Sequence, residues 1–321
     1  MSEIAKKADL SVVIPVFNVE KYLPKCIDSL LATDGIGDAE IILVDDGSTD
    51  GSGKIADRYS ADHPNIKVFH RENSGASSAR NFGLKQASGN YVFFCDSDDE
   101  VVPDLFSKVL AKTKNSDMDA ILYAGDLIEE DGYKATEKLR RYFRHDGVSD
   151  KDNGSTGKEF LLQELRERGD YPSVVWLGVY RKEFIEQNGL YFEDGITNED
   201  DMWVPKMFFA AQKVCYIPER IYLYRLRGGS LSKPSEAEAA GCIESLLYIY
   251  PYLYGYCEKN SGSEELKEYM WRALTRKYLY WIFEYDFFGR GYGKRVDIDL
   301  LQKTSKRFRD KIRVCYLKMR K

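Results

Sequence analysis

The stretch Tyr91-Val92-Phe93-Phe94-Cys95-Asp96-Ser97-Asp98-Asp99-Glu100 constrains the chain most. Five apolar residues run straight into an acidic turn. The apolar run has strand length and no alternation, the pattern of a strand buried on both faces. Its acids begin where such a strand leaves the sheet, and in open α/β sheets ligands bind at that edge. Crowded carboxylates resist sharing a confined site unless protons or a cation neutralise them. Mg2+ and Mn2+ take oxygen ligands and often keep phosphate oxygens in their shell. The segment therefore reads as a metal–diphosphate site at a strand end. Taken alone, it reads equally as a solvated acidic turn that caps a helix from Pro103.

The rest of the chain supplies the context. Leu10-Ser11-Val12-Val13-Ile14-Pro15-Val16-Phe17-Asn18 predicts a strand and then a loop, with Pro15, which lacks an N–H, at the strand's end. Helical spacing continues over 19–33. The run Ile41-Ile42-Leu43-Val44 enters Asp45-Asp46-Gly47-Ser48-Thr49-Asp50-Gly51, again carboxylates and small turn residues at a strand's end. A polar helix to about 61, a strand at 66–69 and a helix over 75–87 lead to the strand at 91–95. This β-α-β-α-β-α-β alternation argues for a parallel doubly wound sheet.

Farther on, a helix is expected at 104–115, a strand at 120–124, and an irregular insertion at 129–157. Glu199-Asp200-Asp201-Met202-Trp203 leads into a helix, 202 to about 211, with two strands after it around a turn at Pro218. Past a Gly/Ser/Arg-rich loop at 226–235, aromatic helices are expected at 236–258, 264–288 and 298–319. The composition shift places a domain boundary near Lys233, dividing 1–232 from 233–321, with a first half at 10–125 and a second at 126–232.

The 321 residues suffice for one large or two modest domains with a full core. The net charge of −5 is uneven: residues 294–321 hold eleven Lys/Arg against three Asp, which leaves −13 on the remainder. A basic tail on an acidic body suggests contact with an anionic surface. The six cysteines form no CxxC pair and have no His partner at zinc spacing, which fits a reduced, cytoplasmic chain. No apolar run reaches the roughly 18 residues of a spanning helix. Val12-Val13-Ile14 stops at Pro15, too short for a signal-peptide core.

Three segments, 15–18, 45–50 and 96–99, would meet at one edge of the sheet. No GxGxxG stands after the first strand and no GxxxxGK[ST] occurs, which argues against a dinucleotide dehydrogenase or a P-loop NTPase. A nucleotide held by side chains, with metal-bridged phosphates, is left. A catalytically silent sugar- or partner-binding protein remains the alternative. A nucleotidyltransferase would need a Gly-rich loop with an Arg after the first strand, and Pro15-Val16-Phe17-Asn18 is not one.

Four segments in order resemble the signatures of family 2 glycosyltransferases: 11–18, Val44-Asp45-Asp46-Gly47-Ser48-Thr49-Asp50, Gly75-Ala76-Ser77-Ser78-Ala79-Arg80-Asn81 and Phe94-Cys95-Asp96-Ser97-Asp98-Asp99. The resemblance is strong over 10–125. It extends more weakly through Asn198-Glu199-Asp200-Asp201 and Tyr224-Arg225-Leu226-Arg227-Gly228-Gly229-Ser230. It implies the GT-A fold of nucleotide-diphospho-sugar transferases, an α/β doubly wound, mostly parallel sheet, here with a C-terminal helical extension. It also implies an inverting transfer from a nucleotide-diphosphate sugar, expected to be UDP-linked, with Mn2+ or Mg2+ as cofactor.

By the same resemblance, Pro15, Val16 and Phe17 would line the base pocket, and Asp46 rather than Asp45 would accept from a uracil N–H. Arg80 would sit by the base and phosphates. Asp96 would face the ribose and share the metal with Asp98, and Ser97 would join the donor contacts. Whether Asp98 or Asp99 touches the metal is left open. Asp200, paired with Glu199, would be the general base; the same acids also suit the first turn of a helix. Arg225 and Arg227 are expected either as a clamp on the diphosphate or as a solvated basic turn. Trp176 and Tyr180 are expected in the core. The Gln-x-x-Arg-Trp motif of processive members is missing, which predicts single addition. The expected partners are a glycan acceptor, lipid-linked, and no nucleic acid. Leu301, Phe308, Ile312, Cys315 and Met319 form one apolar stripe among Lys and Arg, which suits peripheral contact with the inner face of the plasma membrane. Packing of that stripe on the helix at 264–288 is the other expectation.

Overall fold

A computed structural model describes residues 9–113, 117–130, 132–144, 154–227 and 236–320. Its strands are β1 (Leu10–Val16), β2 (Ala39–Asp45), β3 (Ile66–His70), β4 (Tyr91–Phe94), β5 (Glu100–Val101), β6 (Ala120–Glu129), β7 (Gly178–Arg181) and β8 (Val214–Leu226). The helices are α1 (Leu23–Leu31), α2 (Ser52–Asp62), α3 (Ala76–Gln86), α4 (Leu105–Thr113), α5 (Glu137–Arg144) and α6 (Gly157–Arg168). They continue with α7 (Lys182–Gln187), α8 (Glu199–Ala210), α9 (Glu236–Asn260), α10 (Glu264–Glu284), α11 (Ile298–Thr304) and α12 (Phe308–Arg320).

One sheet runs in the order β3-β2-β1-β4-β7-β6-β8-β5. The pairings among β3, β2, β1 and β4 are parallel, as is β6 with β8. β7 runs antiparallel to both β4 and β6, and β5 to β8. The central strands are buried on both faces because they alternate into two apolar layers. Val13, Ile42, Val44, Val92 and Phe94 face one core, with α3, α6, α8, α9 and α10. Val12, Ile14, Ile41, Leu43 and Phe93 face the other, with α1 and α4. Each such side chain contributes about 1.5–3 kcal/mol on leaving water. Close approach of α3 to the sheet needs Gly83, where a Cβ would stand 2.3 Å from Val13 Cγ1.

The fold departs from expectation at five places. β8 is one strand, not two around a turn. Ile217 pairs with Tyr123 and Arg220 with Ala124, so Pro218 and Glu219 are the extra residues of a bulge. A bulge tolerates a proline that cannot donate to the ladder. The region expected to be irregular holds the end of β6 and the helix α5. α6 is an unexpected helix, although Thr156 and Glu159 form its capping box, a signal present in the sequence. The last expected helix is two, α11 and α12. The first expected helix, α1, starts late, at Leu23, with a proline in its opening turn. The expected boundary at Lys233, the glycines of the 226–235 loop and His145 lie outside the described residues.

β5 is short but ties two distant segments together. Glu100 and Val101 pair with Leu223 and Tyr222, so the acidic turn after β4 is stitched to β8 on its far side.

Candidate active site

The ends of β1, β2 and β4 meet at one edge, as the sequence predicts. Val16 is buried, Pro15 partly buried, and Phe17 is 47% exposed where β1 ends, free to meet a flat ring. Asp46 is buried and accepts from the backbone N–H of Ser74 (3.0 Å) and of Gly75 (2.7 Å). It therefore shapes the loop that starts α3, and its oxygens keep lone pairs for one further donor. Asp45 turns away, taking the Ser48 N–H (3.0 Å) and pairing with His70 (2.8 Å).

Arg80 is the hub. α3 carries it under the β4 turn, where it is buried against the Phe192 ring. Its guanidinium donates to Asp96 Oδ1 (2.7 Å) and to Glu199 Oε1, and lies 3.9 Å from Asp200 Oδ1. Burial works against its charge, but Asp96, Asp200 and Glu199 outweigh it and hold the proton more tightly than usual. The residue expected by base and phosphates thus joins the β4 turn to the start of α8.

The acidic turn sorts its residues by depth. Asp99 is fully buried and accepts from Tyr222 OH (2.7 Å) and Arg225 N–H (2.7 Å). Burial, then the charges of Asp98 and Asp96, pushes its carboxyl up. It sits beneath the turn, whereas the Asp98 side chain keeps 19% exposure. Asp98 Oδ2 accepts from Arg227 Nε (2.8 Å) and pairs with its Nη2 (2.7 Å). Burial, then Asp96, raises Asp98 as well, with Arg227 opposing. Ser97 is buried within the turn.

Arg225 differs from a solvated turn residue. Its side chain is 3% exposed, with Nε on the Asp98 carbonyl (2.8 Å) and Nη2 on Glu100. It braces the acidic turn from below, and Tyr22 lies under both Arg225 and Arg227.

Glu199, Asp200 and Asp201 open α8, where unpaired N–H groups favour carboxylates. Asn198 precedes them at φ 59°, a left-handed conformation that asparagine adopts more readily than most residues. Asp200 Oδ2 accepts from the Val175 N–H (3.0 Å). Its Oδ1 is buried and takes no hydrogen bond among the described residues. Burial pushes the Asp200 carboxyl up to about 8, with Arg80 opposing and Glu199 and Asp96 adding to the rise. Trp176 and Tyr180 are core residues, as expected; Trp176 stacks on Tyr222 at 4.2 Å. Tyr222 is a support that the sequence pattern does not single out, yet its hydroxyl also accepts the Asp96 N–H (3.1 Å).

Hard carboxylate oxygens on Asp98 and Asp96 are the donor type Mg2+ or Mn2+ takes. No cluster of three or more potential ligands stands ready among the described residues. In this structure Asp98 is engaged by Arg227 and Asp96 Oδ1 by Arg80.

Residues 11–184 match the profile described as Glycosyl transferase family 2. The chain belongs to this family. One family relative is the uncharacterized glycosyltransferase YibD of Escherichia coli, 34% identical over 225 residues, 70% of this chain and 63% of that one. Another is the GalNAc(5)-diNAcBac-PP-undecaprenol beta-1,3-glucosyltransferase of Campylobacter jejuni, 31% identical over 219 residues, 68% of this chain and 64% of that one. The chain thus spans less than two-thirds of the length of either. Among solved structures, S. aureus TarS in complex with UDP-GlcNAc superposes with a TM-score of 0.70 at 20% identity, covering 97% of this chain and 88% of that one. This likeness establishes the GT-A fold, including the helical C-terminal region.

Proposed function

We propose that the protein transfers one sugar, with inversion, from a UDP-sugar to a glycan acceptor carried on a lipid, during synthesis of a surface polysaccharide. The observation that carries this is the free, buried Oδ1 of Asp200 beside the Arg80 hub and across from the acidic turn. Phe17 and Asp46 hold the base, and Asp96 faces the ribose. Asp200 takes the proton of the acceptor hydroxyl through Oδ1. The hydroxyl oxygen forms its bond to the anomeric carbon as the bond to the diphosphate oxygen breaks, and UDP departs. Arg80 keeps Glu199 and Asp96 neutralised, so that Asp200 alone is free to accept a proton. A divalent ion held by Asp98 and Asp96 would supply positive charge to the departing diphosphate. Arg227, on leaving Asp98, would pair with the same phosphates.

The TarS complex with UDP-GlcNAc and the undecaprenol-linked acceptor named for the C. jejuni relative support the donor and acceptor classes. The test is thermal-shift and calorimetric titration with nucleotide sugars, with and without Mn2+. Asp98→Asn is expected to weaken metal-dependent UDP binding by about ten- to a hundredfold, the loss of one charge-assisted contact of about 1.5–3 kcal/mol. UDP binding that responds neither to Asp98→Asn nor to EDTA would remove the metal from the site.

The lipid side of the proposal rests on α12. Its packed face is Asp310, Val314 and Leu317. The expected stripe is not packed on α10: Phe308 is 78% exposed, Ile312 52% and Met319 80%, and Tyr316 joins them. Leu301 alone belongs to the core, on α11. Exposed apolar residues flanked by Arg309, Lys311, Arg313 and Lys318 suit an anionic bilayer surface, at the cytoplasmic face. No helix among the described residues is long and apolar enough to cross a membrane. The full chain is expected to co-sediment with anionic liposomes at low salt, and the Phe308→Ser/Ile312→Ser/Met319→Ser variant to stay in solution. Equal partitioning of the two would reject membrane contact.

A further inference from the structure

Outside the acidic edge, a buried cation sits far from any surface role. Lys277, on α10, lies well past the matched residues 11–184. Its ammonium donates to Ser173 Oγ (2.5 Å), to the Tyr171 carbonyl (3.0 Å) and to Tyr142 OH (3.2 Å). All three of its N–H donors are thereby used. Asp170 Oδ1 and Asp201 Oδ1 lie 3.8 and 3.9 Å away, and the Tyr171 ring lies 4.3 Å beneath it. Burying an ammonium is costly unless it is paired and hydrogen-bonded, so a packing role alone would be filled better by Met or Leu.

The groups that Lys277 grips flank Asp200 on two sides. On one side is the segment 171–175. Tyr142 OH accepts the Ser173 N–H at 2.9 Å, and two residues later the Val175 N–H donates to Asp200 Oδ2. On the other side is Asp201, the next residue of α8, which also accepts from Tyr250 OH of α9 at 3.2 Å. The peptide that occupies one oxygen of Asp200 and the backbone that carries Asp200 are therefore both fastened to the C-terminal helices.

We infer that Lys277 is a positioning residue for the transfer: it clamps the 171–175 segment and Asp201 so that Asp200 Oδ2 is held and Oδ1 faces the acceptor. The region after residue 236 is then a structural part of the catalytic centre. This rests on the transferase function proposed above, with Asp200 as its base.

Lys277→Met is expected to lower kcat by about ten- to a hundredfold, within the range set by misplacing a catalytic group by about 1 Å. UDP affinity and the donor KM should stay as in the wild type, because the donor edge does not touch Lys277. Lys277→Arg, which keeps the charge, should recover part of kcat. The hydrogen bond from Val175 holds the Asp200 carboxyl down, so loosening it should move the acid limb of the kcat profile to higher pH. A readout independent of sugar transfer is the carboxyl 13C titration of Asp200, assigned by its loss in Asp200→Asn. That titration should shift upward in Lys277→Met. Should Lys277→Met fail to fold, Ser173→Ala and Tyr250→Phe each remove one contact of the clamp and should move the same titration in the same direction. An Asp200 titration and a kcat profile that stay in place, with only the melting temperature lowered, would reduce Lys277 to a packing residue. A wild type that turns over no nucleotide sugar would overturn the transferase function, and the Asp200 titration would still decide the clamp.

Discussion

Asp200→Asn is expected to lower turnover by about a hundredfold or more, the range for a lost general base. UDP affinity should be unchanged, because Asp200 stands on α8, across Arg80 from Asp96 and the acidic turn. The raised carboxyl sets the wild-type pH dependence. An ordinary aspartate releases its proton near 4, whereas Asp200 holds it to about 8, mainly because it is buried. The base works only when ionised, so kcat/KM should climb with pH until about 8 and then level. Stability moves the other way. A carboxyl whose folded pKa is raised stabilises the fold fully below its unfolded pKa, and that contribution is lost as pH rises through the folded value. The asparagine has no such loss. Asp200→Asn should therefore match the wild type in melting temperature near pH 4 and equal or exceed it near pH 8. A variant as active as the wild type would move the base elsewhere, with Glu199 next.

Arg80→Met is expected to be the most destabilising single change at the site. The methionine fills much of the space but leaves Glu199, Asp96 and Asp200 without their shared cation. Breaking a buried ion pair by removing one partner costs about 3–5 kcal/mol. At roughly 2–4 °C per kcal/mol, that is a fall in melting temperature on the order of 10 °C. Arg80→Lys should not restore the loss, because a point-like ammonium cannot reach two carboxylates as the guanidinium fork does. Acid should narrow the gap between wild type and Arg80→Met, since protonated carboxyls need no cation. Denaturant melts that place Arg80→Met within about 1 kcal/mol of the wild type, the usual span of exposed ion pairs, would contradict the hub.

The strands of the parallel half are legible because they are continuous apolar runs, a pattern that survives burial on both faces. The acids at their ends are legible for the same reason: the strand end fixes where the next residues point. Bracing is not legible. Arg80 meets Glu199 across 119 positions and Arg225 meets Glu100 across 125, pairings that no local spacing encodes. Pro218 misleads because a proline signals a turn in isolation, and only the partner strand reveals a bulge. Lys277 looks like any lysine of an amphipathic helix, since its burial depends on Tyr142 and Tyr171 arriving from elsewhere. The α12 stripe is plainly apolar in sequence, but which side of α12 meets the body depends on the break after α11.

The order of strands along the sheet also sets an order of assembly. β1, β2, β3 and β4 are neighbours both in space and in the first hundred residues, so their loops close early and at low entropic cost. On a ribosome this half emerges first, bearing Arg80 and Asp96 with no Glu199 yet made. β7 must then insert beside β4, and β8 must return past it to grip the acidic turn. The edge formed by β1, β2 and β4 can thus exist before Glu199 and Asp200 are made. On the transferase function proposed above, the surroundings of Asp200 are complete only when the last third of the polypeptide, with β8 and Lys277, has docked.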